Sequence, residues 1–300
     1  MIIAGGEVTS MDAISAVEVL PGDLIIRQLP ILPKKVDASS MILHNGKILF
    51  CGGSRNSEKC LQLDDGTWKE HSTFNVGRFG GHSVVSTNEA TFVFGGDNIL
   101  PLSEKTYEYL PKDSNTWIMG KTEIPGGFMH GYAIAVKSEK EIWLIGGIRF
   151  GTEKRILSFD VKNHTFKVMP FELTEQRRLH CCAFIPNTNK LMITGGIDSN
   201  STEIIDVENG SVTKAAPMNC GLRMSHGMGI VTINGINRLI VFGGRNELSP
   251  KVYVHDNVEL YNTETEKWEK TTIKLKEPKY DFGFLTIKLW DIISIINHYK

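Results

Sequence analysis

The sequence lacks any apolar run approaching the ~20 residues that a membrane-spanning helix needs, and its start has neither the basic segment nor the small-residue cleavage site of a secretory signal. The expectation is a soluble, cytoplasmic chain, with an extracellular parent kept open by sequons at Asn163, Asn200 and Asn209. An excess of one charge is also missing: 33 basic against 34 acidic side chains leave a formal net charge of −1. That balance excludes a global attraction to nucleic acid or to an anionic membrane, so charged recognition must be local. Cysteine is scarce and odd in number, with Cys51, Cys60, Cys181, Cys182 and Cys220 at irregular spacing. Three of the five lie in or beside expected strands, which favours buried reduced thiols over a disulfide framework. No G-x-S-x-G, Walker loop or H-E-x-x-H occurs, so neither a catalytic residue nor a cofactor is expected.

What the chain has instead is one stretch repeated. Leu239-Ile240-Val241-Phe242-Gly243-Gly244 has five near-copies, ending in Gly5-Gly6, Gly52-Gly53, Gly95-Gly96, Gly146-Gly147 and Gly195-Gly196. Successive first glycines are 47, 43, 51, 49 and 48 residues apart, a period of repeat architectures. The apolar run reads as a strand buried on both faces, because polar alternation is missing. Paired glycines at its end permit positive φ and close approach of another backbone.

Around each diglycine four strands can be placed, here a to d. In the third unit they are 81–86, 90–94, 106–110 and 117–120, with Tyr107 and Tyr109 alternating in strand c and a turn at Pro111 to Asn115. Trp68, Trp117 and Trp268 follow the c–d turns, replaced by Phe166 in the fourth unit and Val212 in the fifth. The first unit is the most degenerate, with strand d expected at Leu24, Ile25 and Ile26. Arg78, Arg178 and Arg223 precede His82, His180 and His226 at strand a, and His130 stands alone in the fourth unit.

The paired glycines, strand c, the tryptophan and the Arg-to-His lead-in resemble kelch repeats, and the resemblance covers residues 1 to about 288. It implies an all-β, six-bladed kelch-type β-propeller closed by a C-terminal strand. The chain starts at a strand b, so segment 278–287 is expected to supply the missing strand a beside Ile2, Ile3 and Ala4. We assign 1–288 to a single propeller and 289–300 to a tail outside the pattern. Starting inside a repeat also suggests a fragment or short form of a longer protein.

Four histidines at one repeat position raise the question of a metal, but repeat-equivalent residues in different blades are spread out rather than converging on one point. They are expected to be structural, with no metal. Among enzymes with kelch-like repeats, copper-radical oxidases need a Tyr–Cys arrangement that does not match here, and sialic-acid mutarotation is the better enzymatic alternative. Arginines carry a sharper signal. Arg55, Arg149 and Arg245 follow diglycines, and Arg78, Arg177, Arg178 and Arg223 lie in d–a connections, so all seven are candidates for the face bearing the longer b–c and d–a loops. Guanidinium groups there suit carboxylates, which points to a protein or peptide partner with acidic residues. Against that reading, Arg78, Arg178 and Arg223 are also explained as repeat framework. Kelch-like ubiquitin-ligase adaptors add BTB and BACK domains that this sequence does not contain, and no motif speaks for or against actin binding.

Overall fold

The computed structural model describes residues 1–10, 12–20, 29–54, 58–97, 105–126, 130–148, 153–247 and 252–287. Among them there is no α-helix, and no helix is long and apolar enough to cross a membrane. The first sheet holds β1 (Ile2–Ala4) and β2 (Val17–Val19). The second is β3 (Ser40–His44), β4 (Lys47–Cys51), β5 (Lys59–Asp64) and β6 (Thr67–Thr73), and the third β7 (Ser83–Ser86), β8 (Ala90–Phe94), β9 (Tyr107–Pro111) and β10 (Ile118–Met119). The fourth is β11 (Ala133–Ser138), β12 (Glu141–Ile145), β13 (Glu153–Asp160) and β14 (Thr165–Arg177), and the fifth β15 (Cys181–Phe184), β16 (Lys190–Thr194), β17 (Thr202–Asp206) and β18 (Val212–Ala215). The sixth is β19 (Gly227–Ile233), β20 (Ile236–Phe242), β23 (Asn257–Asn262) and β24 (Lys267–Lys274), with a small ribbon of β21 (Arg245–Asn246) and β22 (Tyr253–Val254) inserted after its diglycine. Finally β25 (Gly283–Leu285) returns to β1, pairing Ile2 with Leu285, Ile3 with Phe284 and Ala4 with Gly283. The fold is an all-β, six-bladed propeller whose first blade takes its strand a from the C-terminal end, as the repeat phase requires.

The chain divides into two compact units, Met1–His130 with Asp281–Lys300, and Gly131–Tyr280. In the first unit, Phe50, Ile48 and Leu63 pack with Ile2, Ala4 and Leu32, while Leu49, Cys51 and Cys60 pack with Val84, Val93 and Trp117. In the second, Trp143, Ile145 and Ile156 meet Leu191, Ile193 and Ile205, and Met192 meets Leu239, Val241 and Trp268. Each strand b is therefore covered on both faces, which is why its sequence is continuously apolar. The tryptophans fill the wedges and keep their N–H groups bonded, Trp68 to the Pro30 carbonyl at 2.9 Å, Trp117 to Ser72 Oγ at 3.0 Å and Trp268 to Thr202 Oγ1 at 3.3 Å.

Two expectations are corrected. Cys51 and Cys60 are joined in a disulfide, because the β4–β5 register sets them directly opposite with Cα atoms 4.1 Å apart. Cys181, Cys182 and Cys220 remain free, and burial pushes the Cys182 thiol up to about 12. His130 is out of phase with the other histidines: it precedes the left-handed Gly131, whereas His82, His180 and His226 follow the equivalent Gly81, Leu179 and Ser225. Tyr132 occupies that place in the fourth blade. The expected strand at Leu24 to Ile26 and the tail 289–300 lie outside the described residues.

Candidate functional site

Every strand a is reached through the same lead-in, ending in one residue with positive φ: Ala38 (52°), Gly81 (63°), Gly131 (64°), Leu179 (54°), Ser225 (50°) and Asp281 (50°). In the first unit Ala38 N donates to Asp281 O at 2.5 Å; in the second, Leu179 N donates to Gly131 O at 2.6 Å and Ser225 N to Leu179 O at 2.8 Å. The second glycine of a diglycine donates to the carbonyl of the next lead-in, Gly53 N to Arg78 O at 3.1 Å, Gly147 N to Arg177 O at 2.8 Å and Gly196 N to Arg223 O at 3.0 Å. The first glycine leaves room for the following histidine: a Cβ on Gly52 would meet His82 Cε1 at 2.6 Å, and one on Gly195 would meet Arg223 O at 2.3 Å.

Beneath this backbone lattice lie three buried ion pairs. Arg78 bonds Glu108 at 3.0 Å, Arg177 bonds Glu203 at 2.8 Å and Arg223 bonds Glu259 at 3.3 Å, with all six side chains essentially solvent-free. The same guanidinium groups donate to the diglycine carbonyls of Gly95, Gly195 and Gly243. Each carboxylate also takes backbone N–H groups, Glu108 from Asn75 at 2.7 Å and Val76 at 3.2 Å, Glu203 from Thr174 at 2.7 Å, and Glu259 from Asn219 at 2.7 Å and Cys220 at 3.1 Å. Arg78, Arg177 and Arg223 are thus corrected from rim candidates to framework residues, because their guanidinium groups are buried and ion-paired inside the fold. The sequence reading takes Arg178, in Arg178-Leu179-His180, as the repeat arginine of its blade; Arg177, three residues before His180 as Arg223 is before His226, holds that place.

The histidines belong to the same framework. His82 Nε2 lies 3.2 Å from Cys51 O, and His226 Nε2 lies 2.9 Å from Thr194 Oγ1. Burial first, and then the adjacent arginine, lowers His82 to about 4 and His180 to about 3, and drives His226 well below its ordinary value. They are neutral structural groups. Among the described residues, no group of three or more His, Cys, Asp or Glu side chains has the geometry to hold a metal.

Two of the arginine candidates reach solvent in part. Arg178 is half-buried, with its carbonyl accepting Ile197 N at 3.2 Å. Arg245 begins the β21–β22 ribbon, lies over the Tyr280 ring at 4.3 Å and bonds Glu247 at 2.8 Å, while Tyr253 across the ribbon is 53% exposed. Arg55 and Arg149 lie outside the described residues.

Three acidic residues at equivalent loop positions escape a reading of the sequence. Glu7 follows Gly5-Gly6 as Arg245 follows Gly243-Gly244, and Asp37 precedes Ala38 as Arg178 precedes Leu179. Asp281 is itself a left-handed lead-in residue. Aligning the lead-ins by their left-handed residue, rather than by the histidine, brings them out.

A family profile, the KLHDC2/KLHL20/DRC7 Kelch-repeats domain, matches residues 81–288, more than half of the chain. No curated protein matches. Solved structures match in number, 666 chains, so the fold is a widely used one. One of them, the structure of YjhT, superposes with a TM-score of 0.71 at 15% identity, covering 85% of this chain and 88% of that one. At that identity the likeness carries the fold alone.

Proposed function

This chain belongs to the kelch-repeat family, and from that premise we propose that it is a non-catalytic module that binds a protein or peptide through the face bearing its b–c and d–a loops. The observation that carries this reading is the division between framework and loop. Arginine, glutamate, histidine and diglycine recur beneath the surface, whereas the positions after the diglycines vary from blade to blade: acidic Glu7 and Asp97, polar Ser54, apolar Ile148 and Ile197, and basic Arg245. Variable side chains held on a rigid repeated scaffold are the arrangement that recognition uses. Arg245 braced on Tyr280, with exposed Tyr253 beside it, supplies the residue types that dominate interface energetics. The non-catalytic reading is supported by His82 and His226, which the framework holds neutral and bonded through Nε2, away from acid–base work.

The test is affinity capture with the intact chain against an R178E/R245E double variant. Reversal of both charges is expected to reduce capture of an acidic partner at least tenfold, with the unfolding midpoint unchanged. Equal capture by both proteins would remove the arginines from the recognition face.

A further inference from the structure

We propose that Glu7, Asp37 and Asp281, in the first unit, form a pocket that receives a cationic side chain, the ammonium of a lysine or the guanidinium of an arginine, from the bound protein. This deepens the binding reading above and rests on it for the source of the cation, though not for the pocket itself.

Asp37 is only 8% exposed, yet its Oδ1 has no hydrogen-bond partner. Ser39, also 8% exposed, has an unpartnered Oγ, and so has Ser54. The three lie around one glycine: a Cβ on Gly53 would meet Asp37 O at 2.5 Å and Ser39 Cβ at 3.1 Å, and Ser54 N donates to Asp37 O at 3.1 Å. A buried polar atom without a partner is destabilising, more so when it is charged. Such an atom calls for an explanation, and completion by a group from outside the chain is the one its neighbours favour here. What is missing is a donor with several N–H groups and positive charge, which describes an ammonium or guanidinium.

The electrostatics agree. Asp37 shares a side-chain hydrogen bond with Glu7 and feels the Asp281 carboxylate; burial first, and then these two neighbours, push its carboxyl up to about 7. Lys34 and Lys35, on the same lead-in, are exposed. A metal ion is the weaker occupant, since these residues do not form a three-ligand set. Asp37 also takes the lead-in position that Arg178 and Tyr280 take elsewhere, so the pocket belongs to a d–a connection of its own unit.

The experiment titrates the full chain, 15N-labelled, with n-butylammonium chloride and separately with guanidinium chloride at low millimolar concentration and pH 8, following the backbone amides of Asp37, Ser39 and Ser54. Saturable shifts are expected with a dissociation constant on the order of millimolar. Asp37→Asn, which is nearly isosteric, should weaken binding by about tenfold or more, and Glu7→Gln should weaken it less. Tetramethylammonium, which has no N–H donor, should fail to bind. Absence of saturable shifts with both probes, or undiminished binding by both Asp37→Asn and Glu7→Gln, overturns the proposal. Because the probes need no partner, that failure leaves the capture result at Arg178 and Arg245 standing, and a failed capture leaves the pocket measurable.

Discussion

In the second blade the lead-in contributes Val36 and strand c contributes Leu61, where the third blade has Arg78 and Glu108. The positions are equivalent by geometry: Gly6 N donates to Val36 O at 2.8 Å as Gly53 N donates to Arg78 O, and Leu61 stands opposite Phe50 as Glu108 stands opposite Val93. Glu203 opposite Ile193 and Glu259 opposite Val241 repeat the charged solution, and Leu157 opposite Leu144 repeats the apolar one. Neither half of the pair is found buried without a matching partner in these two blades. The reason is the asymmetry of burial: a complete ion pair and an apolar pair are both tolerable, but one buried charge left alone is costly.

The comparison can be broken most sharply by splitting a pair. Arg78→Val alone or Glu108→Leu alone is expected to destabilise by ~3–5 kcal/mol. The double substitution, which copies the second blade, should be less damaging than either single change. Urea unfolding in a double-mutant cycle measures this, and additive losses would show that the pair is not one unit. Some loss should remain in the double variant, since the amides of Asn75 and Val76 lose the Glu108 carboxylate.

A second comparison sets glycines of similar φ in different surroundings. Gly195 (φ +65°) would drive a Cβ into Arg223 O at 2.3 Å, whereas Gly46 (φ +73°) has nothing within 4 Å. Gly46→Ala should lose only the ~1 kcal/mol of left-handed backbone strain. Gly195→Ala should lose at least ~2 kcal/mol more by separating the backbones that the diglycine holds together. Similar midpoints for the two variants would mean that φ alone, without close approach, accounts for the diglycine.

A third comparison contrasts blades with a lead-in histidine and those without. His82 and His180 are neutral in the fold, held near 4 and 3, while the unfolded chain takes up their protons near 6.5. Stability is therefore full above that value and falls as the pH drops toward 4, by up to about 1.4 kcal/mol per unit for one histidine. His180→Phe, which copies Phe282 of the first blade, should flatten the slope of stability between pH 6 and 4. An unchanged slope would mean that His180 is not the group taking up the proton.

The repeat makes much of this legible from residues alone. The period places all six sheets, and its phase locates the C-terminal segment that pairs with Ile2, Ile3 and Ala4. Structural histidines follow from the same periodicity. The phase of the lead-in is harder to see, because the third blade inserts one residue between Arg78 and His82 where Arg177 and Arg223 stand three before theirs. With the spacing varying, Arg178, two residues before His180, is taken for Arg177. The Cys51–Cys60 pairing is hidden because cysteine count and spacing say nothing about which residues a strand register sets opposite.

The periodic apolar runs and diglycines by themselves determined the propeller, because a strand covered on both faces and a backbone crowded at its end admit few other residues. Only the tertiary structure decided which arginines are framework and which face solvent. Burial depends on the partner across the sheet, Glu108, Glu203 or Glu259, and that partner lies 26 to 36 residues away in sequence.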